Sequence, residues 1–353
     1  MRAALFYGGQ DIRVAEVPDP VPGPGEVLVR VGAAGICGSD LHSYRDPARV
    51  WPGLGIPYMT GHELAGEVAA LGPGVEGLRV GQRVGVEPRH LVGCGGCRWC
   101  RRGDYHLCPE LGRRGSKRLR STGFAQYSLE EASNVYPLPN SVSTEDASIL
   151  DVYACAVHAL HLVPANPLHA VVVHGAGAIG LAVAELYALG GAGQVIVCGN
   201  RDAPLAVARR LGADAVVNSS RVDPVQAIME LTGGRGAQVV VEAVGGSSPT
   251  LGIDLKVVGR GGTVLVIGSF TQPQTVEPRD VHAREVCIRW SWSYALWEGV
   301  SEFQVALDLL AAGKLKAREY ITHTFPLDRI GQAFAAADNK RESGAIKVVV
   351  LPW

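Results

Sequence analysis

No stretch of the 353 residues is apolar for long enough to cross a bilayer, and no short apolar segment behind a positive leader marks the chain for export. A cytoplasmic protein is therefore expected. Neither sign of charge dominates. The 33 Lys and Arg face 34 Asp and Glu, for a formal net charge of −1, which supplies no bulk attraction to nucleic acid or to an anionic membrane surface. Internal repeats and low-complexity tracts are also absent, and the one run of like charge is RRGSKRLR at 113–120. With 47% hydrophobic and 19% charged residues the chain reads as well-buried and globular, and its length suits two domains better than one. Its 45 glycines and 21 prolines imply many tight turns between short elements.

The cysteines are unevenly spread. Of eight, four lie in GCGGCRWCRRGDYHLC as Cys94, Cys97, Cys100 and Cys108, spaced C-x2-C-x2-C-x7-C. Four thiolates on one short Gly-rich loop suit the closed tetrahedral coordination of structural zinc. Similar spacings hold iron–sulfur clusters, and disulfides would need an oxidising compartment that the chain gives little reason to expect.

Two textures alternate along the chain. To about residue 140, VLVRVGAAG, ELAGEVAALG and RVGVEP alternate in period two between turn-rich segments, as in a small β-rich domain. At Ser143 the texture changes: SVSTEDASILDVYACAVHALHLV opens with Ser143 and Asp146 in capping spacing and predicts a helical run ending at Pro164. Apolar strands then alternate with amphipathic helices from HAVVVHG to GGTVLVIGS, which predicts a doubly wound parallel sheet covered on both faces. From about Val286 a mixed pattern returns.

The first of those strands runs into Gly175-Ala176-Gly177-Ala178-Ile179-Gly180 and then a helix. Strand, turn and helix in that order make this G-x-G-x-x-G a dinucleotide signal: the glycines permit the tight turn, the approach of pyrophosphate and close helix–strand packing. The helix N-terminus adds free N–H groups for the phosphates. An acidic residue about 20 positions on would accept the adenosine ribose. Here the second strand instead ends Cys198-Gly199-Asn200-Arg201, and Asp202 falls where the next helix starts. Gly199 removes the charge that would repel a 2′-phosphate and Arg201 can pair with one, so NADP(H) is expected over NAD(H). Gly245, Gly268 and Ser269 are also assigned to the cofactor site.

Upstream, GICGSDLH (35–42) and TGHELAGEV (60–68) bring one Cys, one His and one carboxylate, a donor set that suits an open catalytic metal site. With GICGSDLH, GHELAGEV, the four-cysteine lobe, DVYACAVHAL and GAGAIG in that order, the chain resembles the zinc-dependent medium-chain alcohol and polyol dehydrogenases along essentially its whole length. The resemblance implies an α/β fold: a GroES-like β-rich catalytic domain (1–153, with the zinc lobe at about 90–112), a Rossmann coenzyme domain (154–288), and a return to the catalytic domain (289–353). It implies an active site in the cleft, two zincs per chain and a homodimer or homotetramer. Cys37 and His62 resemble the first two ligands of the catalytic zinc, and Asp151 falls where the family has a third. Glu63 resembles the acidic neighbour that can exchange onto the metal, Asp40 the carboxylate that orients the histidine, Ser39 the hydroxyl on the substrate oxygen, and His42 the outer end of a proton relay.

The implied reaction is hydride transfer between NADP(H) and a secondary alcohol, polyol or cyclitol and its ketone. The alternatives are an NAD(H)-dependent alcohol or polyol dehydrogenase, a zinc-free enone or quinone reductase, and a non-catalytic nucleotide-binding protein of the same fold. Trp51 and Trp292 are candidates for the substrate pocket, and Arg113 and Arg114 for contact with an anionic substrate. His158, His161 and His174 are read as structural.

Overall fold

The computed structural model describes residues 1–46, 55–88, 93–111 and 121–353. The chain forms two compact units. The first comprises Met1–Asp151, Ala295–Gly313 and Ala317–Trp353; the second comprises Val152–Tyr294 with Lys314–Lys316. Among the described residues no helix is long and apolar enough to cross a membrane.

The first unit is the GroES-like part, built on a seven-stranded sheet. Its central strand, Glu26–Gly35, pairs antiparallel with Glu63–Leu71 on one side and with Tyr127–Glu131 and then Lys347–Leu351 on the other. Alternating Val27, Val29 and Val31 are fully buried, as period-two patterning requires, against a core that includes Phe6, Phe124 and Phe334. Two registers place the chemistry. Gly35 pairs with Glu63, so Cys37 and His62 emerge side by side where one strand ends and the next begins. Val349 also pairs with Gly35, which carries Lys347 to the same corner.

The second unit is a Rossmann sheet of six parallel strands, in the order Ala215–Asn218, Gln194–Gly199, Ala170–His174, Ala237–Glu242, Val258–Val266 and Cys287–Trp290. In sequence terms this is 3-2-1-4-5-6, the doubly wound dinucleotide order, and its near-continuous valines are buried on both faces. Cys287–Trp290 pairs with Thr263–Val266 inside this sheet, so a boundary at 289 falls within a strand. The helical run expected from Ser143 to Pro164 is two helices, Thr144–Ala147 and Leu150–Leu162. Ser143 caps the first by accepting from the Asp146 N–H at 3.1 Å, and Ser148 Oγ donates to the Glu145 carbonyl at 2.7 Å where it ends.

Candidate active site and metal centres

The four-cysteine segment folds into a lobe in which all four sulfurs lie within 4.8 Å of one another and none is in a disulfide. The Sγ atoms of Cys97 and Cys100 are 3.5 Å apart, and those of Cys97 and Cys108 are 3.8 Å apart. A tetrahedron with bonds of about 2.3 Å to zinc has sulfur–sulfur edges of roughly 3.8 Å. An iron–sulfur cluster would divide the thiolates over two or four irons and spread the sulfurs further. The backbone N–H groups of Cys97 and Cys94 point at Cys94 Sγ and Cys108 Sγ, each at 3.2 Å. The N–H groups of Gly96 and Cys97 lower the Cys94 thiol to about 6, while burial pushes Cys100 up to about 12. Four thiols cannot all ionise at such distances without a cation among them, so the donor set fits one zinc.

The second centre draws its donors from separate elements. Cys37 caps the helix Gly38–Arg45, and Asp40 in its first turn accepts from the Cys37 N–H at 3.0 Å, closing a capping box. Asp40, itself buried, also accepts from Thr60 Oγ1 at 3.3 Å and lies 3.8 Å from His62 Nδ1. Ligand atoms of Cys37, His62 and Glu63 gather within 4.8 Å. Asp151 is outside that set. Its charge nonetheless acts on His62, Lys347 and Glu87.

This corner is rich in negative charge. Burial disfavours a proton on His62, yet Asp40, Cys37 and Asp151 outweigh it and raise the imidazole to about 10. Lys347, 4% exposed, is opposed by burial in the same way and raised by Glu63, with which it forms a buried ion pair. Its Nζ also donates to the Ile36 carbonyl at 3.2 Å. Asp40 acts on His62, Glu63 pairs with Lys347 and Asp151 acts on both, so three carboxylates face one fixed ammonium, and a divalent cation held by a thiolate and by an imidazole that gives up its proton suits that set. Ser39 and His42 lie at i and i+3 on one face of the helix Gly38–Arg45, with Ser39 exposed and His42 half-buried.

In the second unit each glycine of the nucleotide turn has its own job. Gly175 has a φ of 116°, and a Cβ there would meet the Ala243 carbonyl oxygen at 2.8 Å. A Cβ on Gly180 would run into the Gly175 carbonyl, while Gly177, which caps the helix Ala178–Leu189, faces open space where a phosphate could approach. A Cβ on Gly199 would stand 2.9 Å from the Ala176 Cβ, so that glycine serves packing as well as charge. Asp202 opens the helix Asp202–Arg210 and is engaged by Asn218 at 2.7 Å and by Arg221. Arg201 is half-buried, and burial lowers its guanidinium below the usual value. Glu242 takes three donors on one oxygen, from the N–H groups of Val244 (2.9 Å) and Gly245 (3.0 Å) and from Thr250 Oγ1 (2.8 Å), while Gly246 donates to the Ser269 carbonyl at 2.8 Å. Gly245, Gly268 and Ser269 therefore stand together at the carboxyl edge of the sheet.

The sequence reading missed Lys347, Glu242 and the pair formed by His174 Nδ1 and Asp254 at 2.7 Å, which is buried and holds His174 protonated to about 10 against the cost of burial. No local motif marks these groups. A lysine in the apolar run AIKVVVL was the one available signal. Trp292 is half exposed, and Trp51, Arg113 and Arg114 lie outside the described residues.

Known proteins resemble this chain along its length. The family model for the alcohol dehydrogenase GroES-like domain matches residues 23–140, and that for zinc-binding dehydrogenases matches residues 178–312. A sorbitol dehydrogenase of Halalkalibacterium halodurans is 33% identical over 350 residues, covering 98% of this chain and 97% of that protein. An L-threonine 3-dehydrogenase of Pyrococcus horikoshii is 35% identical over 339 residues, covering 95% and 93%. The crystal structure of a zinc-binding dehydrogenase from Sinorhizobium meliloti 1021 bound to NADP is similar with a TM-score of 0.88 at 29% identity, covering 99% of each chain.

Proposed function

The chain belongs to the zinc-type medium-chain dehydrogenase/reductase family, and from that premise we propose that it interconverts a secondary alcohol, polyol or cyclitol and its ketone with NADP(H). It is an oxidoreductase acting on CH–OH groups. The observation that carries the reading is the convergence of Cys37, His62 and Glu63 at the paired ends of two strands, in a corner whose surplus negative charge asks for a cation.

Zinc at Cys37 and His62, with Glu63 or Asp151 as a further donor, would supply Lewis acidity that lowers the pKa of an alcohol hydroxyl and polarises a ketone. The nicotinamide would supply hydride transfer. The chain's own residues do the rest. Asp40 lies against the His62 ring and biases its orientation. Ser39 takes up the hydroxyl proton as its own is released, and His42, at the outer end of the relay, passes a proton to solvent; in reduction both act in reverse. Gly177 leaves the backbone open to the pyrophosphate, and Arg201 pairs with the 2′-phosphate.

NADP(H) preference is supported by Gly199 at the strand tip, by the engagement of Asp202 elsewhere, and by the NADP-bound relative. Measuring kcat/KM with both cofactors over a panel of alcohols, polyols, amino-cyclitols and hydroxy acids tests cofactor and substrate class together; a clear preference for NAD(H) overturns the cofactor reading. Because a side chain at 199 crowds Ala176, the informative variant is Ala176→Gly with Gly199→Asp, expected to move preference toward NAD(H). Metal analysis should find two zincs per chain, and a value of one would mean that one centre is misread. A homo-oligomer in the cytoplasm completes the proposal. Its support is the edge strand Cys287–Trp290, where Trp290 and, just beyond, Trp292 are 59% and 49% exposed.

A further inference from the structure

Glu87 is a buried carboxylate that the proposed chemistry does not use. It follows the strand Arg83–Val86, in which Val86 pairs with Leu64, so it emerges beside Glu63 and His62. Only 5% of it is exposed. Each of its oxygens is held by a phenol: Oε1 accepts from Tyr105 Oη at 2.6 Å and Oε2 from Tyr136 Oη at 2.7 Å. Its main chain is fixed as well, with the N–H donating to the Asn134 carbonyl at 2.9 Å. Tyr136 packs against buried Phe303 with ring centroids 4.9 Å apart and planes tilted by 38°.

The two phenols come from different places. Tyr136 belongs to the sheet strand Val135–Pro137, whereas Tyr105 lies inside the four-cysteine lobe, between Cys100 and Cys108. The lobe therefore supplies half of the clamp on a charge that sits next to the mixed metal corner. Strand register sets the carboxyl group of Glu87 opposite Glu63 and next to His62, the residue before Glu63.

We propose that Glu87 is a positioning residue through which the four-cysteine lobe sets the catalytic metal site, Tyr105 and Tyr136 fixing a carboxyl group beside Glu63 and His62. The proposal rests on the reading of Cys37 and His62 as metal ligands. It is tested in the full-length holoenzyme after exchange of the catalytic zinc alone for cobalt(II), whose visible absorption reports its ligand geometry. Glu87→Gln should shift the cobalt bands and weaken retention of that metal by about 10-fold or more, the size expected when groups behind metal ligands are altered. Tyr105→Phe should shift them the same way by less. Releasing the lobe metal by Cys100→Ser should alter the cobalt spectrum of the parent protein but leave that of Glu87→Gln unchanged.

A merely structural Glu87 would lower the melting temperature of both variants and leave spectrum and retention as they were, which overturns the proposal. An equal response of Glu87→Gln to lobe-metal release overturns it too, since coupling would then bypass the residue. If no cobalt band is abolished by Cys37→Ser, the reading of the metal site itself fails, and the proposal with it.

Discussion

Two clusters of cysteine-bearing metal donors sit in one folding unit and are built on opposite plans. The lobe takes four identical ligands from a single short loop, bonds its sulfurs with its own backbone N–H groups, and leaves no position open. The corner at Cys37 and His62 takes unlike ligands from a helix cap and a strand end, brings Lys347 from a third strand, and surrounds the whole with carboxylates. The lobe's geometry is local, so its own metal serves stability, and its reach toward the other corner runs through Tyr105 and Glu87. The corner's geometry depends on the sheet, and its uncommitted charge is what chemistry can use.

The sharpest way to break this contrast is to remove one sulfur from each centre. Cys37→Ser is expected to lower kcat/KM by about 10³-fold or more with a melting temperature close to the parent's, because loss of a catalytic metal ligand removes the Lewis acid and leaves the core intact. Cys100→Ser should instead release the lobe metal and lower the melting temperature by ten degrees or so, since metal-binding energy in such a lobe is folding energy. Thermal denaturation with metal analysis on both proteins decides the matter; the reverse pattern would erase the distinction.

A smaller effect concerns the buried ammonium. Lys347→Met leaves Glu63 charged and unpaired in the interior, and breaking a buried pair in this way costs about 3–5 kcal/mol. The double variant Lys347→Met with Glu63→Gln should regain most of that loss in denaturant unfolding. If the single variant is as stable as the parent, Lys347 is not the counterion that holds the corner together.

The smallest test uses a buried pair remote in sequence from either centre. His174 is raised from 6.5 to about 10 by Asp254, so the folded state binds its proton more tightly than the unfolded state does. Its stabilising contribution is complete below pH 6.5 and is lost as pH rises toward about 10. His174→Gln should therefore flatten the decline in melting temperature across that window, while Lys347→Met should not. Identical slopes in the two variants would show that the pairs are not separable.

What could be read along the chain follows from how each feature is encoded. The four-cysteine lobe and the turn Gly175–Gly180 are runs of adjacent residues whose spacing is itself the geometry, so both were legible. The parallel sheet, though not its strand order, followed from alternating texture. Glu63 was recognisable beside His62, but its partner Lys347 lies near the other end of the chain and is joined to it only by strand register. Glu87 and Tyr105 were invisible for the same reason: each is unremarkable in its own segment and acquires meaning only when the lobe is folded. The break near Ser148 was hidden because Ser143, Asp146 and the apolar periodicity beyond them favour helix on both sides of it.

The split construction of the first unit has a consequence in time. Its sheet seats Lys347–Leu351 between Ile321–Pro326 and Glu26–Gly35, in an interior position, yet those residues are translated after the entire parallel-sheet unit. Domains tend to fold as they leave the ribosome, so the inserted unit can be complete while the ends of the strands beside Cys37 still wait for their neighbour. The corner of Cys37, His62 and Lys347 is thus expected to be assembled late, a nascent chain having its parallel sheet before it has a finished place for the metal proposed there.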